Sequence, residues 1–137
     1  SIEKHANTMN ETLTQEAHNQ LKINDTYGLS VIDDYGNEIA DSAAGSQMIA
    51  LSLLFGLKES TGLKGPLIID TPFARVDLAY RKSILEALPQ MSEQCILLVH
   101  DGEIAKGDHL EESISNKVGR WYSIEKKGKQ LSEILED

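Results

Sequence analysis

The chain has 137 residues, 40% of them hydrophobic, and carries 22 acidic against 13 basic side chains for a net charge of −9. That length and apolar content suit a single domain with a real core, and two Phe with one Trp make the core aliphatic. No run of about 18 apolar residues is present, the polar start SIEKHANTMNETL does not read as a secretory signal, and the acidic balance argues against the clustered bases that binding a phosphate backbone requires.

In chain order, residues 2–22 read as a polar helix with a thin apolar stripe at Ile2, Met9, Leu13 and Leu21, the pattern of a narrow helix–helix seam. TYGLSVIDDYGNEI (26–39) reads as a hairpin turning at Tyr35-Gly36-Asn37. Residues 46–58, SQMIALSLLFGLK, form a helix that is apolar nearly all round and therefore covered on most sides. PLIID (66–70) is a short strand buried on both faces, LAYRKSILEALP (78–89) an amphipathic helix closed near Pro89, and QCILLVH (94–100) a second buried strand. Residues 103–117 are weakly helical, RWYSIEKKG (120–128) is an exposed edge strand anchored by Trp121 and Tyr122, and QLSEILED (130–137) is a terminal helix. The lone Cys95 lies in an apolar run and reads as a buried small hydrophobe, with an intracellular setting as the default. The basic stretch Lys126–Lys129 reads as a solvated face. His5 and His18 read as solvent-facing helix positions, and His109 has no second ligand at metal spacing.

Two apolar strands joined by a helix make a βαβ unit, which predicts parallel pairing. Ligands collect at the carboxyl ends of such strands, and the two strands end in Asp70 and His100. A strand-end aspartate either caps the next helix or holds Mg²⁺ through water. Pro72 keeps the chain from running straight into a helix, and Asp77 is placed to cap the helix that follows, which frees Asp70. DSAAGSQ (41–47) sets small residues, two hydroxyls and a glycine at a helix start, a place suited to a phosphate, although Ser42 or Ser46 as a plain N-cap explains it equally well. GLKESTGLKG (56–65) is a decoy for the phosphate-binding loop. Its glycine spacing is wrong, no hydroxyl residue follows Lys64, and it leads from helix to strand.

Taken in order, the small-residue helix start, the apolar helix, LIID, a following Asp and a strand ending in His resemble the C-terminal half of an ABC-type ATPase head. The branch resembled is the SMC-like group of coiled-coil ATPases, and IIDTPFARVD resembles the DndD-type ATPases of DNA sulfur modification and phage defence; the specific match covers about residues 40–104. The resemblance implies an α/β, P-loop NTPase-like lobe with a mainly parallel sheet and flanking helices over 23–137, and a coiled-coil stump over 1–22. It implies ATP and Mg²⁺ as cofactors, with Asp70 as the Walker B aspartate, Asp77 as the D-loop aspartate and His100 as the switch histidine. Ser42, Ala44, Gly45 and Gln47 would form the signature that meets the ATP of a second head. Implied partners are the N-terminal Walker A half of the same protein, a second head in a homodimer, and DNA through the intact complex, in the cytoplasm and with no membrane.

Two departures stand out. Ala44 occupies the place of the signature glycine, with Gly45 one position late, and Thr71 stands where many such heads carry the glutamate that polarises water. A positioned base is worth roughly 10²–10⁴ in rate. Hydrolysis is therefore expected to be slow, or another residue such as Asp101 serves, although His-Asp-Gly also reads as a plain turn. Arg75 reads either as a phosphate or partner contact or as half of a salt bridge. Two competing functions follow: an ATP-gated clamp with little hydrolysis, and a stand-alone Mg²⁺-dependent phosphotransfer domain centred on Asp70, with Asp33 and Asp34 as its only extra acids in strand positions.

Overall fold

A computed structural model describes residues 1–15, 19–40 and 42–137, with the backbone alone described at Ala43 and Ala44. His18 and Asp41 lie outside the described residues. The first helix, α1, spans Ile2–Thr14, begins where the Ser1 hydroxyl accepts the Lys4 N–H, and stops at Gln15 in the left-handed conformation (φ 57°). It is thus shorter than the helix expected over 2–22. Met9 and Leu13 of the stripe are buried as expected, whereas Leu21 reaches the core from a strand.

That strand, β1 (Gln20–Ile23), pairs antiparallel with β2 (Leu29–Ile32), so Leu21 lies opposite Val31. Asn7 explains why a strand follows so soon. Its amide donates to Leu21 O at 2.9 Å and its Oδ1 accepts Leu21 N–H at 2.8 Å, giving β1 a partner on the helix side. Glu3 adds a third tie by accepting the Ile23 N–H at 3.0 Å. The chain then turns at Asp33–Asn37 as expected, where the Asp33 carboxylate accepts the N–H groups of Tyr35 and Asn37 at 2.9 and 2.8 Å. Asp33 therefore sits in a turn after β2, outside the β3–β4 sheet, and among the described residues it joins no group of three or more acids that could hold a metal ion.

The second helix, α2 (Ala43–Thr61), extends beyond the expected 46–58 at both ends. It crosses α1 closely at Gly56, where a β-carbon would lie 2.6 Å from Ile2 O and 2.9 Å from Ala6 N. His5 Nδ1 meets Ser60 Oγ at 3.2 Å along the same seam. Leu54 and Leu57 stay exposed, so the apolar surround of α2 is only partly covered. Asn10 Oδ1 is buried with no hydrogen-bond partner among the described residues and lines a cleft of about 260 Å³ beside the start of α2, ample for ordered water.

Strand β3 (Leu67–Asp70), helix α3 (Leu78–Met91) and strand β4 (Cys95–Leu98) form the expected βαβ unit, with β3 and β4 parallel and Leu67 in register with Cys95. Leu67, Phe73, Ile84, Leu85, Leu88 and Met91 join Met48 and Leu51 in the main core. Pro89 sits inside α3, not at its end. Helix α3 runs two residues past the proline to Met91, whose side chain is buried in the core, and ends at the extended C-cap Ser92; the proline forfeits a single N–H bond. The strands are not buried on both faces. Leu67, Ile69, Cys95, Leu97 and Val99 pack on the helices, while Ile68, Ile96 and Leu98 are 62%, 40% and 44% exposed. Cys95 is correspondingly half-buried, its thiol donating to Leu88 O at 3.4 Å, and that burial raises its pKa above the usual 9.0.

The weakly helical region resolves into α4 (His109–Ile114), capped by Asp108, and one 3-10 turn over Ser115–Lys117. His109 is exposed and faces Glu112 at 3.4 Å. The tail departs from expectation: Ser132–Glu136 is a strand, β6, antiparallel to β5 (Tyr122–Lys126), with Ile124 opposite Ile134. The helical spacing of Leu131, Ile134 and Leu135 loses to cross-strand pairing, which closes on Lys127 with its carboxylate partners Glu125 and Glu133 at 2.5 and 3.6 Å. Trp121 packs against the main core, but Tyr122 is half exposed and does not anchor the strand. Among the three strand pairs of the described chain, β3–β4 alone is parallel.

Two outcomes follow from these contacts. Gly56→Ala should lower stability by about 1–3 kcal/mol despite alanine's better helix propensity, because backbone atoms of α1 must move; an unchanged or raised urea midpoint would contradict the close crossing. The Asn37 N–H is the leading cause that holds the Asp33 pKa below the ordinary 3.8. The turn's extra stability is therefore present above the ordinary value and lost as pH falls through the lowered one. Protection of the Tyr35 and Asn37 amides, taken as exchange relative to the intrinsic rate at each pH, should hold constant at neutral pH, fall only in strong acid, and lose this dependence in Asp33→Ala.

Candidate functional site at the parallel strand ends

The register that pairs Asp70 with Leu98 puts His100 two residues beyond, at the same carboxyl edge of the sheet. Ile68 and Asp70 are exposed on β3, and Ile96, Leu98 and His100 are exposed on and just past β4. Registered partners of a pleated sheet share a face, so Asp70 stands with Leu98 on the open face, and His100 is exposed at the same edge. Neither is spent on capping. The N-cap position of α3 belongs to Asp77, which makes no side-chain cap hydrogen bond and is itself exposed.

Between Asp70 and Asp77 the chain makes a compact turn that accounts for the Thr-Pro pair. Thr71 N–H donates to Leu98 O at 2.8 Å, extending the ladder one bond beyond the strand. Thr71 itself has φ 47°, a left-handed conformation rare for a β-branched residue and costing of order 1–3 kcal/mol. Burial of Pro72 and Phe73 offsets that strain, the Phe73 ring alone contributing about 1.5–3 kcal/mol. The Gln47 amide from α2 adds a polar clasp, donating to Pro72 O at 2.5 Å, with Thr71 O at 3.4 Å. Arg75 lies exposed in the same turn.

Gln47 belongs to the start of α2, where Ser42 is the N-cap and its hydroxyl accepts the Gly45 N–H at 3.0 Å. The plain capping reading of Ser42 thus holds in this chain by itself, and Ala44 and Gly45 both lie inside the helix. Ser42 caps α2 and Ala44 and Gly45 sit on its first turn, and among the described side chains of that stretch Gln47 alone hydrogen-bonds to the Asp70 turn.

Two residues missed by inspection of the sequence hold the edge together. Glu103 is 7% exposed, and its two oxygens accept the N–H groups of Phe73 at 2.7 Å and His100 at 3.1 Å. Its own N–H returns to His100 O at 2.8 Å. Arg81 of α3 donates to Val76 O at 2.8 Å, Gly102 O at 3.1 Å and Glu103 O at 2.6 Å. The local clue was an acid three residues after a strand-end histidine, but its partners are 30 residues apart in sequence for Phe73. Asp101 is exposed in the turn between them. Among the described residues no group of three or more His, Cys, Asp or Glu side chains could hold a metal ion, so Asp70 offers one carboxylate and not a cage.

The fold built around this edge is that of SMC head domains. The SMC head domain from Thermotoga maritima matches with a TM-score of 0.65 at 14% identity, over 99% of this chain and 47% of that one. The Smc head domain with a coiled coil and joint from Pyrococcus yayanosii matches with a TM-score of 0.70 at 14% identity, over 98% of this chain and 26% of that one. A third structure, solved in a study of ATP-driven dimerization and DNA-stimulated activation of SMC ATPases, matches with a TM-score of 0.65 at 12% identity, over 98% of this chain and 82% of that one. The chain therefore spans less than half the length of the first two. No family model matches the sequence, and no curated protein matches it.

Arg81→Ala should cost about 1.5–3 kcal/mol, since three carbonyls lose a charged donor. Thermal unfolding checks this, and a loss no larger than that of an exposed control such as Lys82→Ala would mean the clasp is idle.

Proposed function

We propose that this chain is the C-terminal lobe of an SMC-like ABC-type ATPase head, acting in the intact protein to bind and hydrolyse ATP with Mg²⁺. The observation that carries this is the parallel β3–β4 register, which places Asp70 and His100 at the same carboxyl edge, within a fold shared with SMC heads. An exposed, uncapped carboxylate suits Mg²⁺, which keeps several waters and takes one or two carboxylates plus substrate phosphates. Asp70 would hold the ion through water and His100 would face the γ-phosphate. Bound there, Mg²⁺ supplies charge neutralisation for phosphoryl transfer.

The open face supports an incomplete site. Ile68, Ile96 and Leu98 leave an apolar surface beside Asp70 and His100, the kind of patch that another region covers. We assign that cover to an N-terminal half bearing the phosphate-binding loop. A second head would bring its nucleotide to the first turn of α2, where Ser42, Ala44, Gly45 and Gln47 lie, and would meet the exposed Asp77. The Thermotoga and Pyrococcus chains are longer than this one, and ATP-driven dimerization belongs to a protein of this fold. Nucleotide touching both heads only in the closed form would drive closure by differential affinity. On this reading α1 continues a coiled-coil arm, DNA is engaged by the whole complex in the cytoplasm, and DndD-type modification or defence is the branch of function favoured by IIDTPFARVD. No described helix is long and apolar enough to cross a membrane.

Thr71 favours a second reading. A threonine in a left-handed turn occupies the place of the water-polarising glutamate, so the heads would close on ATP and hydrolyse it slowly, as a clamp. In the intact protein, Asp70→Asn or His100→Ala should reduce ATP turnover by about 10²–10³-fold, and the isolated 137 residues should show none. Robust Asp70-dependent turnover by the isolated chain would overturn the half-site. Background turnover in an intact protein that still dimerises on ATP would select the clamp.

A further inference from the structure

We propose that Glu103 is a positioning residue that fixes the spacing between the strand end bearing Asp70 and the strand end bearing His100. The β3–β4 ladder holds the strands as far as the Thr71 N–H to Leu98 O bond, and beyond it the two chains diverge into separate turns. Glu103 spans that gap from inside. One oxygen accepts the Phe73 N–H from the turn after β3, and the other accepts the His100 N–H after β4.

The chemistry calls for a carboxylate at this place. Both partners are N–H donors, and only an ionised carboxylate presents two acceptors with no donor of its own. An amide would aim its NH₂ at one of the two N–H groups, and an apolar side chain would leave the Phe73 N–H unpaired in a buried site and the His100 N–H unpaired in a half-buried one. The side chain is in turn fixed at its own backbone, by the Glu103 N–H to His100 O bond and by Arg81 on Glu103 O. With both oxygens engaged by main-chain N–H groups, Glu103 is not placed to take a proton from water. Its part is to hold two reacting side chains in register, where a displacement near 1 Å costs about 10²-fold in rate. The consequence for catalysis presupposes the ATPase reading above; the geometric role does not.

The test uses the intact protein carrying Glu103→Gln, with Leu88→Ala as a core variant of comparable stability loss away from the edge. Three quantities are read: kcat and KM for Mg-ATP, thermal unfolding, and deuterium uptake of peptides covering 71–76 and 99–104. In Glu103→Gln, kcat should fall about 10²-fold with KM little changed, and uptake should rise in those two peptides alone; Leu88→Ala should unfold earlier yet keep its kcat. An unchanged kcat in folded Glu103→Gln, or an equal loss in Leu88→Ala, would overturn the proposal. Should Glu103→Gln fail to fold, Glu103→Asp keeps the charge but withdraws it by one methylene, and it should lose kcat in the same sense; wild-type behaviour would again overturn the role. If the wild-type intact protein turns over no ATP, the ATPase reading falls, and uptake decides alone: unaltered exchange in both peptides rejects the clasp, and a rise confined to them upholds it.

Discussion

The parallel pairing of β3 with β4 is the constraint on which the rest depends. Parallel neighbours need a crossover, and α3 supplies it, so the two strands must end at the same edge. On the proposed reading, the chemistry of the chain rests on what stands at those ends. Asp70 and His100 are brought together by chain direction and register, not by attraction between them, and both remain exposed. The polar network that supports them is partly buried and indirect. It runs from Gln47 to the carbonyls after Asp70, from Glu103 to the amides of both turns, and from Arg81 to the carbonyls on the far side.

This division between an exposed pair and a partly buried frame has an energetic logic. Thr71 in a left-handed conformation would relax if the turn were free, and the frame over-determines it. Pro72 and Phe73 bring apolar burial, and Gln47 and Glu103 satisfy backbone groups that burial would otherwise leave bare. The Thr-Pro sequence after Asp70 is therefore a device for ending the strand sharply and burying the next two side chains, which keeps the carboxylate clear of the following helix.

What was legible beforehand was the part with local causes. Continuous apolar runs marked LIID and CILLV as neighbouring strands, Pro72 marked the break, Asp77 marked the start of α3, and the hydroxyls Ser42 and Ser46 marked the start of α2 to within one turn. What was not legible depended on distant partners. A carboxylate such as Glu103 carries no pattern by which its acceptors can be matched with Phe73, 30 residues earlier. The tail spacing of Leu131, Ile134 and Leu135 suits a helix, and only the presence of β5 turns it into a strand. An apolar run also says nothing about whether both faces are covered within one chain. Ile68, Ile96 and Leu98 satisfy the sequence pattern of a doubly buried sheet while remaining open here.

That open face joins the fold to the proposed function, because a sheet hydrophobic on both sides and covered on one asks for a further layer beside its chemical edge. The most direct measurement is a crystal structure of the intact protein with a non-hydrolysable ATP analogue and Mg²⁺. Expected is Asp70 at hydrogen-bond distance, about 2.5–3.0 Å, from a metal-bound water, with His100 turned to the terminal phosphate. Nucleotide seated away from the β3–β4 edge, with Asp70 and His100 both left in solvent, would contradict the half-site and everything built upon it.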